Sequence, residues 1–165
     1  MKSIVIFASH HGNTLKVAEA IAAELATHGS AQLLPVEYAP ETLPRDLDLI
    51  IVGGPTEAHH MTEPLARFLE SAERPAFDGV AAAAFDTRLK GPAWLWGSAA
   101  YGLAGMLKSF GVRLVVPPEN FFVTGPFGTE GGISTLFPGE LDHARKWAAE
   151  VAEAAKAAPR VALRA

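Results

Sequence analysis

Short apolar runs alternate with amphipathic helical segments along nearly the whole chain. The runs at residues 3–8 ("SIVIFA") and 47–54 ("LDLIIVGG") are rich in β-branched residues, which is typical of strands buried on both faces. A third run, "GVAAAAF" at residues 79–85, is predicted as a central strand because of its place between two helical segments. The run at residues 31–38 is a weaker strand, since Pro35 suits an edge position.

Helical segments follow most of these strands. Apolar residues at helical spacing predict a helix through Ala18, Ile21, Ala22 and Leu25 that His28-Gly29 can close, and a second through Leu65, Phe68 and Leu69 with Thr62 as its cap. Two more helices are predicted over residues 98–110 and 140–158. Two further extended segments, "VRLVV" and "NFFVTG", are separated by a Pro-Pro pair. Repeated strand–helix units predict one α/β domain over residues 1–165, a parallel sheet with helices on both faces. Ligands bind such sheets at the carboxyl ends of the strands, here the loops after Ala8, Gly53 and Phe85.

Composition excludes several classes of function. The formal net charge of −4 argues against a nucleic-acid partner, because phosphate backbones require a basic surface. The chain has no cysteine, so disulfides, thiolate metal sites and a cysteine nucleophile are excluded. The apolar run after Lys2 is too short for a signal peptide or a membrane span. We therefore expect a cytoplasmic protein that has no membrane partner.

The loop after the first strand reads "SHHGNT" at residues 9–14 and leads directly into a helix. A helix start offers unpaired N–H groups, and a glycine lets the backbone approach an anion closely. The alternative is a plain strand–helix turn in which Asn13 caps the helix. The loop lacks both the dinucleotide and the nucleotide phosphate fingerprints. A metal site at His10-His11 or His59-His60 is not expected, because adjacent side chains diverge.

Five segments in order along the chain resemble the flavodoxin-like family, in its branch with a Gly-Asn-Thr phosphate loop. They are "SHHGNT", "VGGPTEAHHMTEP", "AFDTR…GSAA", "PPENFFVTG" and "PGELDHARKWA". His11 stands where the family's phosphate loop usually carries a threonine. The resemblance implies a doubly wound, five-stranded parallel sheet of order 2-1-3-4-5 and FMN as cofactor.

The resemblance also implies three cofactor-binding loops. The first would hold the FMN phosphate, the second would border one face of the flavin ring, and the third would supply a stacking tryptophan. A tryptophan of the third loop can instead cover the surface or form a dimer contact, and Arg88 can meet an anionic ligand or pair with Asp86. The implied residues are Ser9, His10, His11, Gly12, Asn13, Thr14, Pro55, Thr56, Glu57, Ala58, His59, His60, Met61, Asp86, Thr87, Arg88, Trp94 and Trp96.

Three functions are compatible with this pattern. The first is an FMN-binding electron-transfer flavoprotein that acts with redox partner proteins, as a monomer or homodimer. The second is an FMN-dependent oxidoreductase that passes electrons from NAD(P)H to quinones or small aromatic acceptors. The third is a flavodoxin-fold binding module without FMN. We expect no catalytic side chain and no metal, because the flavin would carry the redox chemistry.

The second loop has no glycine between Pro55 and Pro64. Flavodoxins often turn a peptide of this loop toward the flavin to stabilise the neutral semiquinone, and glycine lowers the cost of that turn. A residue with a side chain would pay about 1 kcal/mol or more. We therefore expect weaker semiquinone accumulation than in a flavodoxin that has a glycine there.

Overall fold

A computed structural model describes residues 1–39, 43–44, 46–57, 59–72, 77, 79–92, 97–125 and 134–157. Within them the strands are β1 (Lys2–Phe7), β2 (Ser30–Pro35), β3 (Leu49–Pro55), β4 (Ala81–Leu89), β5 (Arg113–Leu114) and β6 (Glu119–Val123). The helices are α1 (Asn13–Thr27), α2 (Glu63–Ser71), α3 (Ala99–Ser109) and α4 (Glu140–Ala157), and Val36–Tyr38 forms a short 3-10 turn. No helix of these residues is long and apolar enough to cross a membrane.

The sheet is parallel, and its strand order β2-β1-β3-β4-β5 confirms the predicted order. A sixth strand is additional, because β5 and β6 both pair with β4. Residues 81–82 of β4 pair with β5, and residues 85–89 pair with β6. Pro117 and Pro118 lie between β5 and β6 and have no N–H to donate to the ladder. The fifth position of the sheet is therefore divided between two strands.

Side chains of the central strands alternate between two apolar cores, one on each face of the sheet. Ile4 and Ile6 of β1 pack with α2 and α3, while Val5 and Phe7 pack with α1 and α4. Gly53 of β3 lies so close to the Phe85 ring that an added Cβ would be 2.1 Å from a ring carbon. Both faces of β1, β3 and β4 are buried, as their apolar runs predict.

Local interpretations of the sequence differ from the structure at three points. β4 continues through Leu89 instead of ending at Phe85, because its last residues find partners in both β3 and β6. Thr62 precedes α2 as predicted, but its buried hydroxyl has no hydrogen-bond partner among the described residues. Gly12, not Asn13, precedes α1 in the N-cap position.

Candidate functional site

A cleft of about 390 Å³ opens at the carboxyl ends of the central strands, next to the point where the strand order reverses. It is bordered by the loop after β1, the end of β3 with the loop that follows, and the end of β4. Its lining residues are His10, His11, Asn13, Thr14, Pro55, Thr56, Glu57, Thr87, Arg88, Leu89, Val123 and Ser134.

The first loop presents backbone donors at the start of α1. Gly12 has a φ of +80°, a left-handed conformation that favours glycine, and open space surrounds the place of its missing side chain. The Ser9 hydroxyl accepts a hydrogen bond from the Leu15 N–H at 3.3 Å. The N–H groups of residues 10–14 have no acceptor among the described residues. Five consecutive donors therefore lie at the positive end of the helix dipole.

Two side-chain contacts hold this loop against the rest of the site. The Thr14 and Thr87 hydroxyls are 2.7 Å apart and buried, which joins the first turn of α1 to the end of β4. The Asn13 amide donates to the Ser134 carbonyl at 2.9 Å. The Asn13 side chain therefore binds the distant segment at Ser134 instead of capping its own helix.

The second loop makes a tight turn. Glu57 and His60 exchange two backbone hydrogen bonds, of 2.9 and 2.8 Å, and His59 between them has a φ of +76°. His59 thus already adopts the left-handed conformation that a residue with a side chain rarely takes. The His10 Nδ1 lies 2.5 Å from the Glu57 carboxylate, so the first and second loops are in direct contact.

Asp86 is fully buried behind the cleft, in β4 and not in a loop as expected. Its Oδ2 accepts hydrogen bonds from the Ser98 hydroxyl at 2.6 Å, the Thr56 hydroxyl at 2.9 Å and the Ala100 N–H at 3.2 Å. The Thr56 hydroxyl in turn accepts from the Ala99 N–H at 2.8 Å. Burial raises the pKa of the Asp86 carboxyl, and these donors oppose the rise. The network fixes the start of α3 to the ends of β3 and β4.

Arg88 is 8% exposed and lies at the edge of the cleft. Its Nε donates to the Asn120 side-chain oxygen, and its Nη1 donates to the carbonyls of Leu89 and Gly91. The guanidinium carbon lies 5.1 Å from the centre of the Phe122 ring. The closest Asp86 oxygen is 4.0 Å from Nε, so the two residues form a loose ion pair.

The structure brings together most of the expected site residues that it describes. Ser9 and Gly12 shape the first loop without lining the cleft, and Asp86 lies behind it. His59, His60 and Met61 do not line it either, and Met61 packs against the core beside α3. Ala58, Trp94 and Trp96 lie outside the described residues. Among the described residues, no group of three potential metal ligands is close enough to hold an ion.

Sequence reasoning missed several contributors to the site. Ser134, Val123 and Leu89 line the cleft, while Ser98 and Asn120 support Asp86 and Arg88 from behind. Ser98 was identifiable as the polar residue that begins a predicted helix. Asn120 and Ser134 carry no local signal, because the pairing of β6 with β4 places Asn120, and contacts with Asn13 and Thr124 place Ser134.

A family model described as a flavodoxin domain matches residues 4–87, about half of the chain. A search of curated protein sequences gave no significant match.

Solved structures with similar folds include flavodoxins. An archaeal flavodoxin has a TM-score of 0.76 and 21% identity, with 94% of this chain and 99% of that chain covered. Flavodoxin 1 from Bacillus cereus has a TM-score of 0.74 and 21% identity, with 93% and 98% covered. A flavodoxin, WrbA-like protein from Agrobacterium tumefaciens has a TM-score of 0.72 and 20% identity, with 95% and 98% covered.

Proposed function

The chain belongs to the flavodoxin family, and from this premise we propose that it binds FMN in the cleft and carries electrons between redox partner proteins. FMN, the cofactor of that family, supplies the redox chemistry when it is bound. The observation that carries the proposal is the run of N–H groups at residues 10–14, which have no acceptor among the described residues.

These donors fit a phosphate monoester. Consecutive backbone N–H groups at a helix N-terminus form an anion site, and a glycine in the run leaves room for the anion to approach the main chain. Gly12 provides that room, because apart from its chain neighbours no described atom lies within 4 Å of the position that a Cβ would take. The cleft volume of about 390 Å³ also lies within the range of cofactor and small-molecule sites.

The remaining residues of the site would bind and orient the cofactor. Thr14 and Thr87 join the phosphate end of the cleft to the sheet, and Thr56 with Asp86 fixes the start of α3 relative to the second loop. The contact between His10 and Glu57 keeps the first two loops together. With the loops preordered in this way, less conformational entropy is lost when a ligand binds.

An electron carrier is favoured because the backbone donors and hydroxyls of the described lining suit the holding of a cofactor, which would itself carry the electrons. The ionisable residues of that lining are His10, His11, Glu57 and Arg88, and His10 contacts Glu57 directly. An NAD(P)H-dependent reductase for quinones or small aromatic acceptors is the second candidate. The fixed cation at Arg88 favours it, since positive charge beside a flavin stabilises the two-electron-reduced form. A cytoplasmic location is part of the same proposal.

Titration with FMN tests the proposal. Protein stripped of any flavin should quench FMN fluorescence on binding, and it should bind FMN at least tenfold more tightly than riboflavin, which lacks the phosphate. Failure to bind FMN, or equal affinity for the two flavins, would refute the phosphate site. The loaded protein should consume no NAD(P)H with a quinone as the sole acceptor. Steady consumption would identify the reductase instead.

A further inference from the structure

We propose that Arg88 is a fixed cationic anchor for the negative charge that the flavin ring carries after two-electron reduction. This inference rests on the proposed binding of FMN and adds a residue that sets the relative affinity for oxidised and reduced cofactor.

The guanidinium of Arg88 is held in one place by contacts from several directions. Asn120 accepts from Nε, and the carbonyls of Leu89 and Gly91 accept from Nη1, while the Phe122 ring packs against the guanidinium face. Nη2 has no acceptor among the described residues. Nη2 is not one of the buried polar atoms without a partner, so it is open to the solvent of the cleft that Arg88 lines. The cleft is therefore the place from which an acceptor would come.

The charge of Arg88 is poorly compensated inside the protein. Asp86 is its nearest carboxylate, at 4.0 Å, but Oδ2 of Asp86 is already used by three other donors. Oδ1 of Asp86 has no hydrogen-bond partner among the described residues. An anion in the cleft would thus gain from a cation whose position requires no reorganisation.

The position of Arg88 separates it from the phosphate donors. Successive residues of a strand point to opposite faces of the sheet. Thr87 contacts Thr14 beside the first loop, whereas Arg88 contacts Asn120 on the other face. The N–H groups of residues 10–14 already provide for a phosphate, so Arg88 is available to a different part of the ligand. The ribityl chain of FMN is neutral, so the ring, which gains charge on reduction, is the part that a cation suits.

The charge of the ring depends on its redox state. Two electrons from a reductant such as dithionite and one proton from water would leave the reduced ring with one negative charge at neutral pH, while the oxidised ring is neutral. A fixed cation stabilises the charged form more than the neutral one. If Arg88 makes one hydrogen bond to the charged ring, that bond should raise the affinity for reduced flavin by about 10- to 100-fold relative to oxidised flavin.

The Arg88→Gln variant tests this assignment. It should bind oxidised FMN within about threefold of the wild type but bind reduced FMN about 10- to 100-fold more weakly. Because tenfold in an equilibrium constant is 29.6 mV for two electrons, the two-electron midpoint potential should fall by about 30 to 60 mV. Riboflavin should show the same shift, since the contact is with the ring. Lys90→Gln is the control, because it makes the same charge change at an exposed neighbouring residue. It should shift the midpoint potential by less than about 10 mV, well below the shift of about 30 mV that a tenfold change in affinity gives.

A second variant keeps Arg88 in place. Asn120→Asp would put a carboxylate against Nε, neutralise the cation, and lower the potential in the same direction. Equal weakening of oxidised and reduced FMN, or weakening of FMN without riboflavin, would assign Arg88 to the phosphate and overturn the proposal. An unchanged potential in both variants would overturn it as well. If the wild type bound no FMN at all, the proposed function itself would be refuted.

Discussion

Replacing Thr56 with valine should destabilise the fold by removing two hydrogen bonds at once while keeping the shape of the side chain. The Thr56 hydroxyl accepts from the Ala99 N–H at the start of α3 and donates to the buried carboxylate of Asp86. Loss of a helix-start acceptor costs about 1 kcal/mol. Loss of a hydrogen bond to a charged group costs about 1.5–3 kcal/mol. We therefore expect a loss of about 2.5–4 kcal/mol at neutral pH, a large share of a typical stability of about 5–15 kcal/mol.

The loss should also depend on pH, in a direction set by Asp86. Burial raises the folded-state pKa of Asp86 above its ordinary value of 3.8, and the Thr56 hydroxyl is one of the groups that lower it. Removing that hydroxyl raises the folded pKa further, so the folded variant binds its proton more tightly than the unfolded chain does. Stability then falls as pH rises from about 3.8 through the folded pKa. The cost of Thr56→Val should accordingly be greater at pH 8 than at pH 5.

Urea unfolding at pH 5 and pH 8, followed by circular dichroism, measures both quantities. Thr124→Val is the matched control, because the Thr124 hydroxyl also bonds backbone groups but in an exposed place, and its cost should be about 0.5 kcal/mol. A Thr56→Val loss no greater than that of the control would refute the role of the network. A loss that increased toward low pH would refute the charge assigned to Asp86.

Three further predictions concern the loops of the cleft. Thr14→Ala removes the hydroxyl contact that joins the first loop to Thr87. The variant should bind FMN about 1–2 kcal/mol more weakly in a fluorescence titration, and an FMN affinity equal to that of the wild type would count against the site. Gly97→Ala, at a φ of +73° with the new Cβ 2.4 Å from the His59 Cα, should lower the melting temperature more than Gly139→Ala, which meets open space at a φ of +89°. Equal decreases in melting temperature for the two variants would show that the second loop moves aside at no cost in stability. Anaerobic photoreduction should give little neutral semiquinone, and a strong blue species at neutral pH would contradict the expectation drawn from the missing glycine.

The local pattern of the sequence determined the architecture. Apolar runs of strand length, separated by helical periodicity, are sufficient to predict a parallel sheet with helices on both faces, because each side chain's burial follows from its place in a repeating element. The first loop was equally predictable, since donors, glycine and helix start are neighbours along the chain. Only the division of the fifth sheet position between β5 and β6 went beyond the expected order, and the Pro-Pro pair marks that division.

Tertiary structure alone decided the chemistry behind the cleft. No local pattern shows that β4 continues past Phe85, because that extension depends on partners in β3 and β6. The extension buries Asp86, and the packing of α3 brings Ser98 and the Ala100 N–H to its carboxylate. Strand register likewise places Asn120 beside Arg88. Hydrogen-bonding partners separated by tens of residues are set by register and helix packing, which a sequence read in short windows does not contain.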